Sequence, residues 1–135
     1  MRDIKAISHD DAWRILYAAR AALEADGRGA SVAVCDAHGE LVGFLRTDGC
    51  PLASINNAIN KAFTASRERK ESRDVGEASR SEDFPMTNFG DLRYTGWGGG
   101  VPVVIDGEVV GAVGVSGLPE ADDMEIARAG AAVVG

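Results

Sequence analysis

The chain has 135 residues, 45% of them hydrophobic and 26% charged, the composition of one globular domain that buries roughly two-thirds of its unfolded surface without disulfide or metal staples. A formal net charge of −7 sets it against nucleic acid and anionic membrane, whose phosphates it would repel. With no apolar run of signal-peptide or bilayer-spanning length, a cytoplasmic protein whose partners are small molecules or other proteins is expected.

Ser8 to Asp11 supply capping side chains, and Ala12, Ile15, Leu16, Ala19 and Leu23 recur at helical spacing until Gly27 and Gly29. That pattern predicts an amphipathic helix from Ala12 to Asp26, with Trp13 and Tyr17 beside the stripe at the core edge. Ser31 to Cys35 and Glu40 to Leu45 read as strands joined by Asp36-Ala37-His38-Gly39, a first hairpin. Pro51 then stands where a second helix should begin, and Leu52, Ile55, Ile59, Ala62, Phe63 and Ser66 share its apolar face. From Glu71 to Gly100 periodicity disappears while Phe84, Phe89, Tyr94 and Trp97 remain, so this stretch reads as a long irregular segment acting as lid, binding loop or subunit contact. Its aromatic residues exceed what one small domain covers, and a homo-oligomer is expected.

Two apolar, β-branched runs flank Asp106-Gly107, a strong signal for a second hairpin, because such a turn needs positive φ. Gly111 and Gly114 in the second run mark a bulge, a close approach of ligand or backbone, or simply tight helix packing. Pro119-Glu120-Ala121-Asp122-Asp123 opens a last helix whose acidic first turn suits the helix dipole, with Ala127, Ala131 and Val134 on one side. Paired hairpins among helices predict an α/β protein of the α+β kind, a single domain over 1–135 with one central antiparallel sheet covered by helices. No phosphate-loop motif is present, so a nucleotide fold is not expected. Cys35, ending an apolar strand, reads as a buried structural thiol, and Cys50 lies in a turn; neither has metal-site spacing.

The polar inventory suggests a site for a small organic acid. Arg46 and Asp48 follow the second strand, Lys61 and Thr64 lie three apart on the second helix, and Arg67 is one turn beyond Thr64. Arginine presents a planar fork to a carboxylate, lysine a point charge and threonine a hydroxyl. Trp97 precedes Gly98, Gly99 and Gly100, whose backbone amides suit an oxyanion or enolate. Plainer readings stay open: Arg46 and Asp48 paired across a turn, Lys61 and Arg67 on a solvated helix face. No hydrolase template is present, and Asp36, Asp48, Asp106, Asp122 and Asp123 do not sort into acid and base from spacing.

Four segments together resemble the GlcG/HbpS-type family, which includes the carboxy-terminal domain of PduO-like proteins. They are Ser31-Val32-Ala33-Val34-Cys35-Asp36-Ala37-His38-Gly39, Phe44-Leu45-Arg46-Thr47-Asp48-Gly49, Asn60-Lys61-Ala62-Phe63-Thr64-Ala65, and Gly99-Gly100-Val101-Pro102 through Val115-Ser116-Gly117 with Asp122 and Ala127 following. The resemblance spans nearly the whole chain. It implies profilin-like α/β layers, assembly into dimers or rings, and in several members binding of haem or a corrinoid-related ligand. Some haem-binding members use a histidine in or near the first helix; here that helix has none, and the two histidines are His9 ahead of it and His38 in the hairpin turn. Two functions follow. One is a small-ligand-binding protein holding haem, another tetrapyrrole or another planar ligand beside the Trp97 loop, with His9 serving across a subunit boundary. The other is a small catabolic enzyme, an isomerase, hydratase or dehalogenase of an unsaturated organic acid, with Arg46 and Lys61 on its carboxylate.

Overall fold

A computed structural model describes all 135 residues. Ser8 closes a capping box, its Oγ accepting from the Asp11 N–H at 3.1 Å while its own N–H donates to Asp11 Oδ2 at 3.0 Å. Helix α1 (His9–Asp26) therefore starts earlier than its apolar stripe, directly after one cap, and ends at Gly27 in the left-handed conformation. Strands β1 (Ser31–Asp36) and β2 (Leu41–Arg46) pair around a turn in which Asp36 Oδ1 accepts from the N–H groups of His38 and Glu40. Strands β3 (Gly100–Ile105) and β4 (Glu108–Ser116) pair around Asp106 and Gly107, whose φ values of 52° and 79° are what the Asp-Gly signal requires. The four strands form one antiparallel sheet in the order β2-β1-β4-β3, as the paired hairpins predict.

The two faces of the sheet have different chemistry. Val32, Val34, Val101, Val103, Val113 and Val115 point to one side and bury Ile15, Leu16 and Leu23 of α1 together with Ala127 of α4 (Glu120–Ala131). The other side is made of small residues: Ala33, Cys35 and Ala112 meet Ala58, Ala62 and Ala65 of α2 (Ser54–Glu68). Gly114 lies opposite Gly100 in register, and a methyl group at either would overlap the backbone of α2. Of the three readings of Gly114, tight helix packing is the one the structure realises. Gly111 instead admits Ile7 of the N-terminal segment, whose N–H donates to the Val110 carbonyl at 2.9 Å. Cys35 is buried as expected; burial pushes its thiol up to about 12, and it donates to the Ala62 carbonyl.

Two boundaries need correction. Pro51 does not start α2: residues 51–53 form a turn closed by Ser54 N–H to the Pro51 carbonyl, and the helix begins at Ser54. Nor is 71–100 irregular throughout, since it holds α3 (Ser72–Ser81) and a 3-10 turn (Met86–Phe89). Helix α3 buries only Ser72, Val75 and Gly76, so no apolar stripe announces it. The aromatic residues that follow cover one another: Phe89 stacks on Tyr94 at 4.0 Å, Tyr94 meets Phe63 edge-on at 5.1 Å, and the Arg93 guanidinium lies over Phe63. No helix is long and apolar enough to cross a membrane.

Candidate functional site

Where α2, α4 and the end of β4 converge, a cavity of about 360 Å³ is lined by Ser54, Asn57, Lys61, Trp97, Ser116 and Asp123, among others. Its base is an ion pair. Lys61 Nζ donates to Asp123 Oδ2 at 3.2 Å and to the Val115 carbonyl at 2.9 Å, and the two side chains are only 4% and 3% exposed. Local sequence makes this possible. Gly99, at φ 125°, has no side chain, and a methyl there would stand 3.1 Å from both Cδ and Nζ of Lys61. Asp123 Oδ1 accepts from the Leu118 N–H at 3.0 Å, which ties the turn after β4 to the first turn of α4. Burial pushes the Asp123 carboxyl above its ordinary range, with Lys61 and the N–H groups of Leu118 and Gly117 pulling the other way.

An ammonium has three N–H donors, and Lys61 commits two within the protein. Ser54 and Ser116 are largely buried residues that line the same cavity, and their hydroxyls, which make no hydrogen bond within the protein, open onto it. Ser54, Asn57 and Lys61 share one face of α2 by their spacing of three and four. Trp97, 61% exposed, stands at the mouth. Glu120 is already engaged, with Arg73 on one oxygen and the Gly98 N–H on the other.

The residues singled out in the sequence separate. Lys61, Trp97 and Gly98 line this cavity. Thr64 is buried one turn on, accepting from the Thr95 N–H at 3.0 Å and donating to the Arg93 carbonyl, and so pins the aromatic loop to α2. Of the glycine amides, Gly98 donates to Glu120 and Gly100 to Ser72 Oγ, which leaves Gly99 N–H as the one without a partner in the protein. Arg46 and Asp48 are exposed, form no ion pair, and line a different cleft of about 370 Å³ beside Arg20, Glu24 and Arg28. Within one chain Arg46 and Lys61 therefore do not meet around one cavity. Arg67 is exposed and donates to the His38 carbonyl at 2.6 Å, whereas Lys61 is buried, so the solvated-face reading holds for one and fails for the other.

Ser54, Asn57, Ser116 and Glu120 line the cavity but were not singled out from the sequence, and Asp123 stood there only among aspartates that spacing could not sort. A signal for Asp123 exists: it lies four residues before Ala127 and eight before Ala131, on the buried stripe of α4. No group of three or more His, Cys, Asp or Glu side chains is placed to hold a metal ion.

A third concavity, about 230 Å³, runs between α1 and the edge strand β2 and is lined by His9, Ala12, Trp13, Leu16, Val42, Gly43 and Phe44. Trp13 is 56% exposed and packs against the equally exposed Tyr17, with ring centroids 5.2 Å apart. His9 is 84% exposed, its Nε2 3.6 Å from Asp10 Oδ1.

Residues 7–132 match the family model described as haem degrading protein HbpS-like. The chain is 35% identical over 116 residues to Protein GlcG of Escherichia coli, covering 82% of this chain and 81% of that one. A crystal structure of a double mutant of Streptomyces reticuli HbpS superposes with a TM-score of 0.89 at 34% identity, over 100% of this chain and 91% of that one. The structure described as a PduOC:heme complex shares the fold, with a TM-score of 0.87 at 24% identity over 96% of both chains.

Proposed function

The chain belongs to the HbpS-like family, and on that footing we propose that it is a small-ligand-binding protein whose ligand is a planar, largely apolar molecule of the tetrapyrrole class, haem first among them. The observation that carries this reading is the pairing of an imidazole with an apolar groove: five of the seven residues between α1 and β2 are hydrophobic, and His9 stands among them. A haem site asks for an axial ligand at an apolar surface, and this donor set fits. His9 would offer the nitrogen, while Trp13 and Phe44 would cover one face of the ring. When bound, haem supplies an iron centre for ligand or redox chemistry; the protein's part is to hold the ring and exclude water from it. The family's description as haem degrading, and a haem complex built on the same fold, support the choice of ligand.

The groove is open, and it flanks an edge strand whose outer backbone groups are unpaired. One chain covers one side of a flat ligand, so the same reading makes the protein a homo-oligomer in which a second copy covers the other. Haemin titrated into the purified protein should give a Soret band shifted from that of free haemin, and the shift should be lost in His9→Ala and weakened in Trp13→Ala. An unshifted band with the unaltered protein, or the same shift in His9→Ala, would overturn the assignment.

A further inference from the structure

The cavity over the Lys61–Asp123 pair shares no lining residue with the His9 groove and belongs to different elements of the fold. Its charges are already balanced inside the protein, Lys61 against Asp123 and Glu120 against Arg73. What remains free is one Lys61 N–H, the hydroxyls of Ser54 and Ser116, and the side-chain amide of Asn57, which makes no hydrogen bond within the protein. No fully buried side-chain polar atom lacks a partner in this protein, so these hydroxyls open onto the cavity, where a ligand can reach them. We infer that this cavity is a second ligand site, which takes a small hydroxylated monocarboxylic acid.

The class follows from the groups. A carboxylate accepts from the remaining Lys61 N–H and from a serine hydroxyl, both charge-assisted bonds. Its hydroxyl exchanges hydrogen bonds with Asn57 and the second serine, both of which donate and accept. A second carboxylate would face Asp123 and Glu120, both on the wall, and be repelled. A neutral diol would give the third Lys61 N–H only a hydroxyl oxygen to donate to, a weaker bond than one to a carboxylate. The volume of about 360 Å³ admits an acid of a few carbon atoms, with the Trp97 ring at its entrance.

Isothermal titration of the full chain with lactate and 3-hydroxybutyrate, against propane-1,2-diol and succinate, tests the proposal. The hydroxy acids should bind in preference to both controls. Ser54→Ala combined with Ser116→Ala should weaken them about tenfold or more, the loss of one to two hydrogen bonds to a charged ligand. Should that double variant fail to fold, Asn57→Ala, at a half-buried position, should show a loss of the same direction. His9→Ala should bind the acids like the unaltered protein, which separates this outcome from that of the haem titration. No heat from either acid at millimolar concentration, equal affinity in the folded variant, or a diol binding as tightly as the acids would overturn the inference.

Discussion

Asp123→Asn keeps the side-chain volume and the acceptor for the Leu118 N–H but removes the charge that Lys61 Nζ faces at 3.2 Å. Two unit charges at that separation attract by about 5 kcal/mol at an effective dielectric constant of about 20. Desolvation offsets much of that when the pair forms, yet breaking a buried pair from one side strands the other charge and costs about 3–5 kcal/mol. The side chains are 4% and 3% exposed, so neither bulk water nor salt compensates. Adding Lys61→Met to Asp123→Asn removes the stranded ammonium, and a coupling of about 2–3 kcal/mol should appear in the double-mutant cycle. Urea denaturation at neutral pH reads this directly, as shifts in midpoint at constant slope. The sign with pH is also set. Burial raises the folded-state pKa of Asp123, so its linkage contribution is present below the unfolded value and lost as pH rises through the folded one. The cost of Asp123→Asn should accordingly be larger in acid than near neutrality, because protonation of Asp123 stabilises the unaltered protein and the variant has no group there to titrate. A single variant within about 0.5 kcal/mol of the parent, or a double variant whose loss equals the sum of the singles, would refute the reasoning.

Gly114→Ala should lower the urea midpoint and the melting temperature by the equivalent of about 3 kcal/mol, an overpacking cost at the upper end of its usual range. The added methyl would overlap the Ala58 carbonyl and lie 2.6 Å from the Ala62 nitrogen, both backbone atoms of α2 that cannot swing aside; a melting curve matching the parent would show that the helix lifts freely. At the start of α1 the Ser8 N–H, above all, holds the Asp11 carboxyl below its ordinary range. That stabilisation is present above the unfolded pKa and fades as pH falls through the folded one. The stability gap between the parent and Asp11→Ala should therefore be widest near neutrality and close in strong acid, and a gap that stays constant across a pH series of urea melts would contradict the capping account.

Much of the fold was legible because it depends on near neighbours in the chain. Asp106-Gly107 between β-branched runs specifies a hairpin through φ alone, the Ala12-to-Leu23 stripe specifies a helix through a period of 3.6, and two such hairpins leave an antiparallel sheet as the simple outcome. The set of motifs from Ser31 to Gly117 also carried the family, which residues 7–132 match. Where the apolar pattern was weak, as in α3, the reading failed, because that helix is held by Ser72 at its start, bonded to Trp97 and Gly100, and by the contact of Gly76 with Gly96 rather than by a stripe. The site itself was only half visible. Lys61, Trp97 and Gly98 drew notice for their chemistry, but the partner of Lys61 lies 62 residues away, and Ser54 and Ser116 are unremarkable until the layers stack. Arg46 and Asp48, plausible companions by type, end at the far side of β2 beside α1. Backbone conformation is decided within a few residues and so can be read from the chain, whereas which charges share a cavity is decided by how closely α2 settles on the glycines of β3 and β4, a distance that only the packed layers determine.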